Sequence, residues 1–430
     1  MLLSFSLKNF RSFRDKSTLS MIPVNIRDIP YSVLAEKISH RSYKALSSSI
    51  LYGANASGKS NIILALDFLR EIVISGNIEN QRSIPIQLIP GFCNDESDSI
   101  ELSILFIHKK HCFDYQIEIG NAKFLSENSN PFVKKEILQI DDKLVFKRID
   151  KALNIPSQII KHNQESLILN QAESSLLSNE LFLSNGFKTL IDTDMYSIIL
   201  HWFKECLVVV RKIDFISATP TRYDYEKMGD ATEDKFKLSS DIIDKIAKEA
   251  GINTTTIQYL KKDEEHNLQP FSIIDNKAVV ARFIESEGTM KIINFVPLVI
   301  AVMAKGATLV IDEMDSSLHP SAVFSIINAF HNNELNVKQA QLIFTTHNPI
   351  YQKAKIFRRD EIKFIERDDR TSSIHSLSDF GTSGADGVKN STDIMKNYLS
   401  GKYGAINYID FSDAIAEALV LNDCKREDEE

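Results

Sequence analysis

The eight residues Gly53-Ala-Asn-Ala-Ser-Gly58-Lys59-Ser60 constrain this chain more than any other stretch. Before them runs a short apolar segment, Ser49 to Tyr52. After them Ile62, Ile63, Leu66, Phe68, Leu69, Ile72 and Val73 recur with helical spacing. Strand, glycine turn and helix form the setting in which a GxxxxGK[ST] loop wraps phosphate groups. Gly53 and Gly58 let the backbone close tightly, so that N–H groups of Asn55, Ala56, Ser57 and the helix start at Asn61 can face an anion. Lys59 would neutralise the outer phosphate oxygens, and the Ser60 hydroxyl would ligate Mg²⁺.

A second feature supplies the acids such a loop requires. Ala307 to Ile311 is an apolar strand that ends in Asp312 and Glu313, at the strand end where open α/β sheets bind ligands. Asp312 is expected to hold Mg²⁺ through water, and Glu313 to polarise the attacking water of a phosphoryl transfer. A third buried strand, Gln341 to Thr345, runs into Thr346-His347-Asn348-Pro349.

Around these motifs the pattern alternates between strands and helices. Residues 2 to 10 read as a half-buried strand, Ile100 to Ile119 and Glu136 to Ile149 as antiparallel hairpins, and Glu361 to Phe380 as a further hairpin. The expected fold class is α/β: a nucleotide-binding core with a mixed sheet, an antiparallel β subdomain and a helical insertion. Its parts are expected at 1–150 (first half of the core), 151–265 (mainly helical insertion), 266–380 (second half of the core) and 381–430 (helical extension and acidic tail). With 430 residues, 43% hydrophobic and 25% charged, the chain can bury a full core.

No uncharged apolar run reaches the roughly 18 residues of a membrane span, and the start does not have the order of a signal peptide. A cytoplasmic protein without a membrane partner is expected. Cys93, Cys112, Cys206 and Cys424 are scattered and show no Cys/His spacing, which argues against zinc and disulfide frameworks. A net charge of −8 gives no support to DNA as a partner, although a local basic groove stays open.

The series of motifs resembles the ABC ATPases. More narrowly it is similar to the soluble branch that holds the structural-maintenance-of-chromosomes proteins, RecF and the OLD-type ATPases, which share the opening Asn9-Phe-Arg-Ser-Phe13. The resemblance implies ATP with Mg²⁺ as cofactors and slow, regulatory ATP hydrolysis, with Lys59, Glu313 and His347 as catalytic residues. It also implies that Asp315 is the aspartate that crosses to a partner subunit and that His347 contacts the γ-phosphate. The signature segment is matched by Glu285-Ser-Glu-Gly-Thr289, in which Ser286 and Gly288 keep the serine and glycine that reach a γ-phosphate held by the opposite subunit. Two ATP molecules would then lie between two copies of the chain, in a homodimer or a higher even-numbered assembly. Of Gln87 and Gln164, Gln87 is assigned as the glutamine that completes the site. Arg11 is placed near the nucleotide by its position in the opening motif, with an exposed loop arginine as the alternative.

Purpose rests on the weaker parts of the match. The insertion lacks the sustained heptads of long coiled-coil arms, and no fused nuclease motif follows His347. The ending GKYGAINYI resembles stand-alone anti-phage ATPases of the RloA, AbiL and PARIS kinds. That resemblance implies an ATPase sensor or scaffold that controls a separately encoded effector, possibly a nuclease, and answers to a phage-encoded trigger. The alternative is a RecF-like DNA-repair ATPase that clamps DNA along an edge formed by Lys134, Lys135, Lys147 and Arg148.

Overall fold

The computed structural model describes residues 1–25, 30–79, 99–120, 131–159, 172–211, 242, 244–249, 251, 255–261, 268–316, 318–352, 356–382, 387–389, 392–406, 410–417 and 419. Gln87, Cys93, Gln164, Cys424 and the acidic end 421–430 lie outside the described residues.

The strands of the first half are β1 (Leu2–Lys8), β2 (Ser17–Ser20), β3 (Val33–Ile38), β4 (Arg41–Leu46), β5 (Ser48–Tyr52), β6 (Ile100–His108), β7 (His111–Gly120), β8 (Phe132–Ile140), β9 (Lys143–Ile149) and β10 (Ala152–Asn154). Those of the second half are β11 (Leu207–Val210), β12 (Thr256–Lys261), β13 (Leu268–Ile274), β14 (Lys277–Val280), β15 (Thr308–Ile311), β16 (Gln341–Thr345), β17 (Ile362–Asp368) and β18 (Thr371–Ser376). The helices are α1 (Lys59–Ser75), α2 (Thr193–His201), α3 (Glu287–Lys305), α4 (Pro320–His331) and α5 (Ile394–Leu399).

Six strands make the sheet that carries the site, in the order β11-β15-β16-β5-β17-β18. The first five run parallel, and β18 returns antiparallel to β17. Every residue of β5, β15 and β16 is buried, which is why these segments read as unbroken apolar runs: parallel strands are covered on both faces. The two serines in β5 are no exception. Ser48 Oγ is hydrogen-bonded to Glu361 Oε1 and His331 Nε2, each at 2.8 Å, and Ser49 Oγ donates to the Glu361 carbonyl.

The second large sheet is antiparallel, in the order β10-β9-β8-β7-β6-β1-β2. Its hairpin turns at Lys109-Lys110 and Asp141-Asp142 place both central residues at positive φ, the geometry that matches the twist of the flanking strands. Helix α1 touches β1 of this sheet and β11 of the parallel one. It therefore buries residues around most of its circumference, including Ile62, Ile63, Leu66, Phe68, Leu69, Ile72 and Val73. Gly76 caps it in the left-handed conformation, where a side chain would be strained.

Within 151–265, the stretch expected to be mainly helical, α2 lies between two π-helical segments, Leu183–Ile191 and Trp202–Cys206. The same stretch supplies β11 to the main sheet and β12 to a small sheet with β13 and β14. By length and composition α3 matches a membrane span, with a mean hydropathy of 1.5 over 18 residues. The sequence expectation differed because it counted uncharged apolar residues only, and the longest such candidate, Phe295 to Ala304, is too short to cross a bilayer. In the fold, α3 packs on β15 and α4 and buries Ile293, Phe295, Val299 and Val302, while Ile300 stays exposed.

The antiparallel sheet is tied to the segment after it by a buried ion pair. Glu136 and Arg148 are both fully buried, 3.8 Å apart. Glu136 accepts from the N–H groups of Phe182 and Leu183 and from the Tyr115 hydroxyl, while Arg148 donates to the carbonyls of Asp150, Leu177 and Glu180. Removing one charge would strand the other without water. Arg148→Met is therefore expected to lower stability by about 3–5 kcal/mol in urea unfolding, and adding Glu136→Gln to that variant is expected to restore part of the loss.

Candidate active site

Strand β5 delivers the glycine loop and α1 begins inside it at Lys59. Gly58 sits at φ +111°, and a Cβ there would come within 2.7 Å of Ser372 Oγ and 2.8 Å of Ser12 Oγ. A Cβ on Gly53 would run into Ser57 Oγ and the Ile365 carbonyl. Gly53 is thus required by close approach, and Gly58 by close approach and by backbone angle. The loop is gripped from two sides. Ser372 Oγ donates to the Ser57 carbonyl at 2.6 Å and Arg367 Nη1 to the Ala56 carbonyl at 3.1 Å, both from the β17–β18 hairpin. From the other side Asn61 Nδ2 donates to Ser12 Oγ at 2.8 Å, and Arg11 Nη1 reaches Asn61 Oδ1 at 3.4 Å. Asn55, Ala56 and Ser60 are left exposed at the mouth of the cradle.

Lys59 is buried and donates to two carbonyls of its own loop, Gly53 at 2.7 Å and Ala54 at 2.9 Å. Burial pulls its ammonium down to about 8, against the opposing pull of Asp312 and Glu313. Those two acids, at the end of β15, therefore lie within electrostatic range of the loop lysine.

The acids are set by their neighbour strand. Thr345, the last residue of β16, donates its hydroxyl to Asp312 Oδ1 at 2.5 Å and accepts from the Glu313 N–H at 2.7 Å. The Asp312 N–H donates in turn to the Val210 carbonyl of β11. Glu313 has φ +49°, a left-handed conformation that costs a residue with a Cβ of order 1 kcal/mol and is held only by its surroundings. Its side chain stays half exposed, with Oε1 4.0 Å from His347 Nε2. Burial, then Lys59, lower the His347 pKa, while Glu313, Asp315 and Asp312 act to raise it. Asp315 accepts from Thr346 Oγ1 at 2.8 Å, and burial raises its pKa.

The fold thus brings Lys59, Asp312, Glu313, Asp315 and His347 together, and sets Arg11 beside the loop through Asn61. Ser286 and Gly288 lie at the start of α3. Ser286 caps α3, accepting from the Thr289 N–H at 3.2 Å, and is exposed, while Gly288 lies in the first turn. Glu285 beneath it accepts from Thr255 and Ser272, which anchors the turn to β12 and β13. Among the described residues no hydrogen bond joins 285–289 to the glycine loop. Gln87 lies outside the described residues. Sequence reasoning did not single out Ser12, Thr345, Thr346, Arg367 or Ser372. Thr345 and Thr346 directly precede His347, and their hydroxyls at the end of a buried strand were a usable signal. Ser12, Arg367 and Ser372 carry no such mark.

The residues present fit a magnesium–nucleotide group: a glycine loop that opens helix α1, one lysine, an exposed serine hydroxyl and a buried carboxylate. Bound phosphates would replace the two carbonyls as acceptors for Lys59 and favour its charged form. Nucleotide affinity is therefore expected to be flat below pH 8 and to fall towards tenfold per pH unit above it. In Lys59→Arg, whose guanidinium stays charged, any residual binding is expected to show no such decline. Titration of a fluorescent ATP analogue between pH 6.5 and 9.5 reads this directly.

Three solved structures resemble the chain along most of its length. The SMC head bound to the C-winged helix domain of ScpA is 15% identical, with 87% of this chain and 97% of that chain covered and a TM-score of 0.47. The SMC head domain from Thermotoga maritima is 16% identical over 87% and 98%, with a TM-score of 0.39. The Smc head domain with an extended coiled coil, bound to the C-terminal domain of ScpA derived from Pyrococcus furiosus, is 14% identical over 87% and 96%, with a TM-score of 0.41. Comparison with curated proteins gave no match. A family profile described as AAA domain, putative AbiEii toxin, Type IV TA system matches residues 48–350, which take in the loop, both carboxylates, Ser286 and His347. On that match over more than half its length, the chain belongs to this family of P-loop ATPases.

Proposed function

We propose that the chain is an ATP-dependent dimer switch of an anti-phage defence system, whose nucleotide state controls a separately encoded effector. The observation that carries the switch is the division of the site. One protomer gathers Lys59, Asp312, Glu313 and His347 around its cradle, yet leaves Ser286 exposed at the start of α3, where its hydroxyl caps that helix. Two copies related by a twofold axis would complete two sites at once. ATP, with Mg²⁺ between Ser60 and Asp312, would act as the clamp.

In such a site Asp312, held by Thr345, would help to hold the metal ion. Glu313 would polarise the attacking water, and His347, whose Nε2 lies 4.0 Å from Glu313 Oε1 and whose pKa is lowered by burial, would contact the γ-phosphate. Asp315 would cross towards the second protomer. The defence reading is supported by the family description, which names a putative toxin of a type IV toxin–antitoxin system, and by the likeness of the sequence to stand-alone defence ATPases. An effector of the nuclease kind, a phage component as trigger and a cytoplasmic location complete the proposal. The basic edge that motivated DNA clamping loses one of its members. Arg148 is fully buried with Glu136, while Lys134 stays exposed beside Glu118 at 2.7 Å.

Light scattering of Glu313→Gln protein is expected to show a doubled mass with ATP and Mg²⁺ that Lys59→Ala does not reach. Co-expression with the neighbouring gene product is expected to retain that product on the dimer. A complementary assay mixes Lys59→Ala with Ser286→Arg, each inactive alone. Half the dimers then contain one intact composite site, so about a quarter of the wild-type ATPase rate should return. A monomer under all conditions and no recovery on mixing would overturn the dimer switch. A dimer that retains no neighbour would overturn only the effector.

A further inference from the structure

Away from the nucleotide site, three side chains with metal-binding atoms converge where the antiparallel sheet meets the segment leading into the parallel one. His108 ends β6, His201 ends α2, and Cys206 ends the π-helical turn that precedes β11. Their ligand atoms all lie within 4.8 Å of one another. His108 Nε2 is 3.1 Å from His201 Nδ1, and Cys206 Sγ is 3.8 Å from that same nitrogen. The imidazole rings stack with centroids 5.1 Å apart and planes 10° from parallel.

These separations can be compared with what an ion requires. Tetrahedral zinc, with bonds of about 2.0–2.1 Å to nitrogen and about 2.3 Å to sulfur, sets N···N near ~3.3 Å and N···S near ~3.6 Å. The two pairs given are within a few tenths of an ångström of these values and the third lies within 4.8 Å, so side-chain rotation would bring all three atoms onto one ion. Two imidazoles and a thiol select a borderline-soft transition metal, since Mg²⁺ and Ca²⁺ take oxygen ligands. Burial grades across the group, from buried Cys206 through half-buried His108 to exposed His201, which leaves one side open for entry.

We propose that His108, His201 and Cys206 form a zinc-class transition-metal site with three protein ligands and a fourth position open to solvent or to a partner's side chain. The ion would cross-link β6 to the residue immediately before β11. That strand borders the one carrying the acids: the Val210 carbonyl of β11 accepts from the Asp312 N–H. Metal loading would therefore brace the outer edge of the ATPase sheet against the antiparallel sheet. A direct His108–His201 hydrogen bond is the competing account of the same geometry, and it involves no ion.

Cobalt(II) is the probe that separates the two, because a tetrahedral thiolate complex gives intense visible absorption. Titration of the chelator-treated full chain is expected to saturate at one equivalent with such a band, which zinc then displaces, and zinc is expected to raise the thermal midpoint. Cys206→Ser should abolish the charge-transfer part of the band. His201→Ala, at an exposed position, should weaken binding while leaving circular dichroism and nucleotide binding unchanged. A spectrum without thiolate character, or binding that persists unchanged in both variants, means an adventitious ion only and overturns the site.

Discussion

The position of β16 between β5 and β15 governs the chemistry of this molecule. Because the three strands run parallel and in register, their C-terminal ends lie side by side. The glycine loop, the Thr345-Thr346-His347 run and the Asp312-Glu313 pair must then emerge at one edge of the sheet. Thr345 bridges the gap with one hydroxyl, donating to a carboxylate and accepting from the N–H of the next residue. A buried, fully hydrogen-bonded hydroxyl of this kind fixes geometry more than it adds stability. It specifies where Asp312 points and helps hold Glu313 in a backbone conformation that it would not choose.

The cradle settles its own electrostatics without a ligand. Lys59 is pulled into the loop by two carbonyls, and desolvation lowers its hold on a proton. The nearby carboxylates supply the compensating charge. Backbone carbonyls thus hold the lysine within the loop, where phosphate oxygens could take their place without large side-chain travel.

What could be read in the sequence was whatever depends on neighbours along the chain. The glycine loop between strand and helix, the acids after β15 and the histidine after β16 are local patterns, and the burial of whole strands made them conspicuous. Contacts between distant segments were not legible. Ser12 and Ser372 grip the loop from positions 46 residues before and 314 after Gly58. Arg148 read as part of a basic edge because the sequence shows its charge and not its direction. The alternation of β9 turns it inward onto Glu136. Strand β11, four residues of Leu-Val-Val-Val, was too short to stand out in a helical stretch. The His108–His201–Cys206 group has no recognisable spacing, since its histidines are 93 residues apart.

Strand β11 has one further consequence. Among the described residues it is the last strand of the main sheet, and its Leu-Val-Val-Val sequence has the apolar, β-branched character that makes an edge prone to pairing with other chains. Its protection is its brevity. The π-helical turn ends one residue before it, and Arg211, immediately after it, is drawn to Asp67 of α1 at 2.6 Å. A charged pair of this kind beside an edge strand opposes pairing with a second chain, so the edge nearest Asp312 and Glu313 carries its own guard against self-association.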